Sequence, residues 1–274
     1  MQITQTSSMA MSGHDLSISY GAAPVVQEVS VELAPGQVTV LVGPNGSGKS
    51  TVLRGMSRLQ QLCAGSLSLA QTEDAAALSA RDFARRVTLL AQSRPTPAGI
   101  TVRDAVEFGR HPHRRGWRGA DPGGVAAVDR ALHLTGMSDL AHRDVDELSG
   151  GQVQRVWFAS ALAQDTGVLM LDEPTNHLDL RYQIEVLELI RGLADNHGIA
   201  IGVVLHDLNQ AAAVADRVLL LSEGRVVADG PAEQALRADL LSTVYEIEVD
   251  VLLDPATGDL DIRSPRQRLT RIRT

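Results

Sequence analysis

Apolar residues follow two rhythms along this chain. Between 14 and 42 they fall in short β-like runs, DLSISY and VVQEVSVEL, ending in QVTVLV, a continuous stretch of the kind that makes a buried strand. STVLRGMSRLQ (50–60) then carries helical spacing, and RVTLLAQ (86–92) is read as another strand. From 80 to 165 the pattern is mainly helical: TVRDAVEFGR, GVAAVDRALHLTGM, and a helix after Gly151. Between the first two lies RHPHRRGWRGADPGG, whose glycines and prolines predict a solvated loop. Strands and helices alternate again from 167. VLMLDE predicts a strand, RYQIEVLELIRGLADN a helix, GIAIGVVLHD a strand, and RVLLLSEGRVVADG a hairpin turning at Glu223-Gly224. Such alternation predicts an α/β fold with a mainly parallel sheet, and a helical subdomain inserted at about 93–165.

Composition narrows the function. A chain of 274 residues with 44% apolar content can bury a full core. The net charge of -8 and 3% aromatic content argue against nucleic acid as partner, which needs cations for phosphates and rings for bases. The single cysteine, Cys63, excludes an internal disulfide and is expected to be a small core side chain. The first dozen residues, MQITQTSSMAMS, form a polar tail without a secretion signal, and Met9 or Met11 could each be a start. No run reaches the ~18 apolar residues of a membrane span, so work at a membrane would require docking onto a spanning partner.

The chain has 24 arginines and one lysine, Lys49. That lysine stands in GPNGSGKST, comprising Gly43, Pro44, Asn45, Gly46, Ser47, Gly48, Lys49, Ser50 and Thr51, which fits a phosphate-binding loop between strand and helix. There the backbone amides wrap phosphates, a slim ammonium reaches the β and γ oxygens, and Ser50 ligates Mg²⁺. A planar guanidinium is too broad for that place. GVLMLDEP supplies the acidic partner: Asp172 for the metal and Glu173 to orient and deprotonate the attacking water. A solvated strand-end turn is the plain alternative. His206 in GVVLHDLN and Gln92 in RVTLLAQ also close strands, whose ends meet at the ligand crevice in such sheets. His206 is therefore expected beside the γ-phosphate, although a structural histidine or an exposed strand-end amide would read the same way.

LSGGQ poses a further question. Ser149 and Gln152 make a capping-box pattern around Gly150 and Gly151, which by itself means a well-capped helix. Those glycines also expose amides at the positive end of a helix dipole, with no lysine near. Such a site suits a phosphate held by a second copy of the chain, each copy closing the other's ATP site.

Together these motifs, in order and spacing over residues 14–230, resemble the ATP-binding subunit of an ABC transporter. The resemblance implies an ABC-type nucleotide-binding domain over 13–249, with an antiparallel β part near its N-terminus and a C-terminal extension over 250–274. It implies that Tyr20 stacks on adenine, where a strand-end core tyrosine is the alternative. It further implies that Gln92 ligates Mg²⁺ and joins the nucleotide to membrane subunits, and that Asp179 in TNHLDL crosses the dimer interface. Val153 departs from the usual LSGGQRQR or LSGGQQQR and is expected to face outward. GRHPHRRGW, HLDLRYQIEVLELIRGLA and the tail VYEIEVDVLLDPATGDLDIRSP resemble importers of ferric siderophores, with haem and cobalamin importers as relatives. The implied cofactors are ATP and Mg²⁺. The implied partners are a second copy, transmembrane permease subunits and an extracytoplasmic substrate-binding protein, and the implied place is the cytoplasmic face of the inner membrane. Soluble ABC proteins of translation or DNA repair are disfavoured by the single cassette and the lack of a heptad insert, while an ATPase scaffold for iron–sulfur assembly is separable by co-purification with membranes. The five arginines of 263–273 suit either a solvated tail or attraction to an anionic membrane.

Overall fold

The computed structural model describes residues 10–21, 23–70, 73–92, 98–114, 119, 121–176 and 178–264. Strands β1 (Met11–Ser19), β2 (Pro24–Leu33) and β3 (Val38–Val42) precede helix α1 (Lys49–Met56). Next come β4 (Ala64–Leu69), β5 (Glu73–Asp74), α2 (Ala80–Ala84) and β6 (Val87–Leu90), then α3 (Val102–Glu107), α4 (Gly124–Leu134) and α5 (Gly150–Ala163). The second half holds β7 (Val168–Asp172), α6 (Leu180–His197), β8 (Ala200–Val204), α7 (Leu208–Val214), β9 (Arg217–Ser222) and β10 (Arg225–Gly230). Last are α8 (Ala232–Ala235), α9 (Ala238–Tyr245), β11 (Asp250–Leu253) and β12 (Leu260–Arg263).

The central sheet runs β10-β9-β3-β8-β7-β6, parallel throughout except for β10. Every residue of β3, β7 and β8 is buried, as expected of strands covered on both faces. Side-chain alternation divides β3 between two cores. Val38, Val40 and Val42 join Phe158, Ile190 and Leu193 on one face, while Leu41 joins Val52, Leu53 and Met56 of α1 on the other. That second face is closed by a separate antiparallel sheet, β2-β1-β4-β5, through Leu16, Ile18, Val29 and Val31. β1 begins at Met11, fully buried, inside the segment assigned to the polar tail. The β9–β10 hairpin turns at Glu223-Gly224 with both residues at positive φ (49 and 76), the backbone a two-residue primed turn requires.

Helices α3, α4 and α5 enclose a third core of Val102, Val106, Val128, Leu132, Val156 and Ala159. Helix α5 serves two cores at once, because Phe158 and Ala161 on its other side pack into the sheet. Truncating Phe158 to alanine would cost about 3–5 kcal/mol and loosen both regions. This double burial also explains Val153. It was expected to face outward, but it packs against the helical core, since α5 has apolar neighbours on most of its circumference.

Of the expected solvated loop at 110–124, residues 115–118 and 120 lie outside the described ones, while Arg110, His113 and Asp121 form a structural joint. Arg110 is buried, paired through two nitrogens with Asp121 at 2.7 and 2.9 Å, and donates to the Ala163 carbonyl at 2.8 Å. His113 meets the Gln164 carbonyl at 2.7 Å. Those carbonyls are left over at the end of α5, where the helix dipole favours cations. Cys63 is also corrected: it is exposed, beside Ser19 Oγ at 3.1 Å, because it lies where the chain leaves α1 for the outer sheet. The β11–β12 hairpin packs onto the central core through Ile262, whose backbone exchanges two hydrogen bonds with the Asn209 side chain. The arginines after 264 lie outside the described residues. No helix among the described residues is long and apolar enough to cross a membrane.

Candidate functional site

Strand order builds the site. β3, β8, β7 and β6 are consecutive parallel neighbours, so the segments leaving their carboxyl ends meet on one edge of the sheet. Those segments carry the phosphate loop, His206, Asp172-Glu173 and Gln92 respectively.

The loop from Gly43 to Gly48 connects β3 to α1. Gly43 has φ 143, and a Cβ there would lie 2.0 Å from the Leu221 carbonyl oxygen, so no other residue fits. Gly48 caps α1 in a left-handed conformation, and α1 has no acidic residue in its first turn to compensate its dipole. Lys49 is 5% exposed and folds back over the loop, donating to the carbonyls of Gly43 at 2.8 Å and Pro44 at 2.9 Å. Burial pushes its ammonium below the ordinary lysine range, partly offset by Glu173 and Asp172. An ammonium has three donors, and a buried one gains most from an anion placed within reach. The buried Ser47 hydroxyl has no hydrogen-bond partner among the described residues. An orphaned hydroxyl in a glycine loop is a fitting cradle for phosphate oxygens.

Across the loop, Ser50 Oγ donates to Asp172 Oδ1 at 2.7 Å. Burial raises the Asp172 carboxyl above the usual carboxylate range, opposed by that hydrogen bond and reinforced by the adjacent Glu173. A dry carboxylate and a hydroxyl in contact fit Mg²⁺, which takes few protein oxygens when substrate phosphates fill the rest. Glu173 follows at φ 54, a left-handed backbone that a glutamate adopts only at a cost of about 1–3 kcal/mol. Its carboxylate accepts from Gln92 Nε2 and Asn176 Nδ2 on one oxygen and meets His206 Nε2 at 2.5 Å on the other. Three side chains from separate segments thus aim a strained carboxylate.

Ser149, Gly150, Gly151 and Gln152 start α5, in the helical region rather than at the strand ends. The predicted capping box is present: Gln152 N donates to Ser149 Oγ at 3.4 Å and Ser149 N to Gln152 Oε1 at 3.0 Å. Gly150 has open space where a Cβ would sit. Asp179 is exposed and caps α6 by accepting from Tyr182 N at 3.0 Å. Tyr20 is 51% exposed, which rules out the core-tyrosine alternative. Two contributors escaped the sequence reading. Asn176 was legible as an amide one turn after Glu173, whereas Tyr245 of α9, near the Gly43 backbone, had no local signal at all.

This arrangement defines a class: an α/β nucleotide-binding domain with a phosphate loop, a metal-fitting hydroxyl–carboxylate pair and a positioned glutamate. Residues 26–176 match the family described as ABC transporter, and the chain belongs to that family. It is 39% identical over 249 residues to the iron(3+)-hydroxamate import ATP-binding protein of Bacillus subtilis (strain 168), covering 91% of this chain and 92% of that protein. It is 41% identical over 249 residues to the ferric enterobactin transport ATP-binding protein of Escherichia coli (strain K12), covering 90% of each. Its fold superposes on a metal-chelate type ABC transporter in an inward-facing conformation with TM-score 0.81, over 94% of this chain and 98% of that one. At 24% identity, that likeness concerns the fold alone.

Proposed function

We propose that this chain hydrolyses ATP to ADP and phosphate as the motor subunit of an iron–siderophore importer, acting as a pair of copies. The observation that carries the ATPase reading is the meeting of Lys49, Ser50, Asp172 and Glu173 at the ends of β3 and β7, the parallel strands on either side of β8. Lys49 and the loop amides hold the β and γ phosphates. Ser50 and Asp172 hold Mg²⁺, with Gln92 as its further ligand, and the bound ion neutralises phosphate charge. Glu173 orients water and accepts its proton, while Gln92, Asn176 and His206 keep the carboxylate aimed. Tyr20 stacks on adenine. Ser149, Gly150, Gly151 and Gln152 face the γ-phosphate held by the second copy, and Asp179 crosses between copies.

Two relatives named for iron(3+)-hydroxamate import and ferric enterobactin transport, each about as long as this chain, support an iron chelate as cargo. The cargo would pass through permease subunits fed by an extracytoplasmic binding protein, with this chain peripheral at the cytoplasmic face of the inner membrane. The deciding experiment uses a strain lacking the gene. It should grow normally on free iron and fail when iron comes only as the cognate siderophore. Uptake of radiolabelled ferric siderophore should return with the wild-type chain and not with Glu173→Gln. Normal uptake of every iron chelate alongside defective haem or cobalamin uptake would move the cargo to those ligands and leave the ATPase mechanism intact.

A further inference from the structure

Gly151 has an aromatic neighbour that its own motif does not supply. A Cβ built on Gly151 would lie 3.1 Å from both Cδ2 and Cε2 of Tyr182, while the same position on Gly150 meets nothing. Tyr182 stands in the first turn of α6, its N–H held by the Asp179 carboxylate at 3.0 Å. The Arg155 guanidinium also lies over this ring, 5.3 Å from its centroid. Gly151 and Arg155 are four residues apart on α5, hence on one face of the helix. Arg155 in turn pairs with Glu185, which also receives Arg181 Nε at 3.0 Å. The ring is therefore held against the glycine backbone by a charged frame from both helices.

We propose that Tyr182 is a positioning residue for the α5 amide site. Its flat ring sets the height and tilt of the Gly150-Gly151 backbone relative to the Asp179 turn, so that both segments meet the partner copy as one rigid surface. On this view Gly151 is glycine partly to admit a ring, and any Cβ there displaces Tyr182. The inference rests on the shared-site reading of the proposed function. Misplacing such a surface by about an ångström costs roughly 10²-fold in rate without touching a reacting atom.

The full-length chain is tested with MgATP, and dimerisation is read in the Glu173→Gln background by sedimentation. Tyr182→Ala should lower kcat roughly 10²-fold and weaken the ATP-bound dimer, with nucleotide binding to the monomer unchanged. Tyr182→Phe should restore both. Tyr182→Leu, which keeps apolar bulk but no flat face, replaces the alanine variant if that one fails to fold, with the same loss expected. Gly151→Ala should also cost less in the Tyr182→Ala chain than in the parent, because the collision is gone. Equal dimer affinity and turnover in Tyr182→Ala, or fully additive losses in the double variant, would overturn the role of Tyr182 alone. A Glu173→Gln chain that stays monomeric at saturating ATP would overturn the shared-site reading and this inference with it.

Discussion

The loop from Gly43 to Ser50 and the turn from Ser149 to Gly151 both present helix-start amides, but only the first carries its own cation. Lys49 is buried and bound to two loop carbonyls, and burial rather than a neighbour is the main influence on its pKa. The loop is thus held by the chain's own groups, and its glycine at 43 is required by a backbone oxygen 2.0 Å from the missing Cβ. In the second turn the only polar side chains, Ser149 and Gln152, are spent on each other's backbone. Such a capping box is worth about 1 kcal/mol of helix stability and leaves nothing to hold an anion by charge. One site can therefore bind nucleotide within a single chain. The other contributes only amides, and gains purpose when another copy brings the phosphate.

The largest effect should come from removing the cation that distinguishes the two. Lys49→Ala should lower ATP turnover by at least about 10²-fold and weaken nucleotide binding, as measured by phosphate release and nucleotide titration. Lys49→Arg should fare nearly as badly, and a near-normal rate would break the size argument. Ser149→Arg should also abolish turnover yet leave nucleotide binding intact. If binding fell as far as in Lys49→Ala, the contrast between a self-sufficient and a shared site would be lost.

The far end of α5 offers a smaller test. Arg110→Ala removes one member of a largely buried pair and the donor on the Ala163 carbonyl, and should cost about 3–5 kcal/mol by denaturant unfolding. The loss should fall on the helical region, so nucleotide binding at the first loop should survive in the folded fraction. The same pair sets an acid dependence. The Arg110 hydrogen bond is the main cause holding the Asp121 carboxyl below the usual carboxylate range. A carboxyl depressed by folding stabilises the fold above its unfolded value of about 3.9, and that contribution fades as pH falls through the lower folded value. The stability gap between the wild-type chain and Asp121→Asn should therefore be full at neutral pH and close in acid. A gap that widened in acid would reverse the sign of this account. Cys63 should matter least. Native chain should react with a thiol reagent at one site, and Cys63→Ser should change stability by less than about 0.5 kcal/mol while sparing both loops.

Legibility in the sequence followed the range of the interactions. The strand, loop and helix around Lys49 and the capping box at Ser149 were readable because their partners lie within a few residues. The hairpin at Glu223-Gly224 was readable for the same reason. The 110–124 segment misled because composition recorded only glycines, prolines and charges, while the carbonyls that take up Arg110 and His113 lie at the end of α5. Val153 misled because the pattern of one helix does not reveal that a second core lies on its other side. Cys63 misled because burial tendencies are averages and the outer sheet leaves that corner open.

By itself the sequence determined the parts of the site that are local chemistry: a glycine backbone that admits phosphate, one ammonium of the right width, and a carboxylate pair ending an apolar strand. Only the tertiary structure decided how those parts are aimed. Gln92 and His206 converge on Glu173 because strand order places β6, β7 and β8 side by side, and chain spacing carries no record of that order. Tyr182 reaches Gly151 because the fold brings the first turns of α5 and α6 together. Contacts of this kind depend on packing between distant segments, where a few tenths of an ångström separate a fit from a collision.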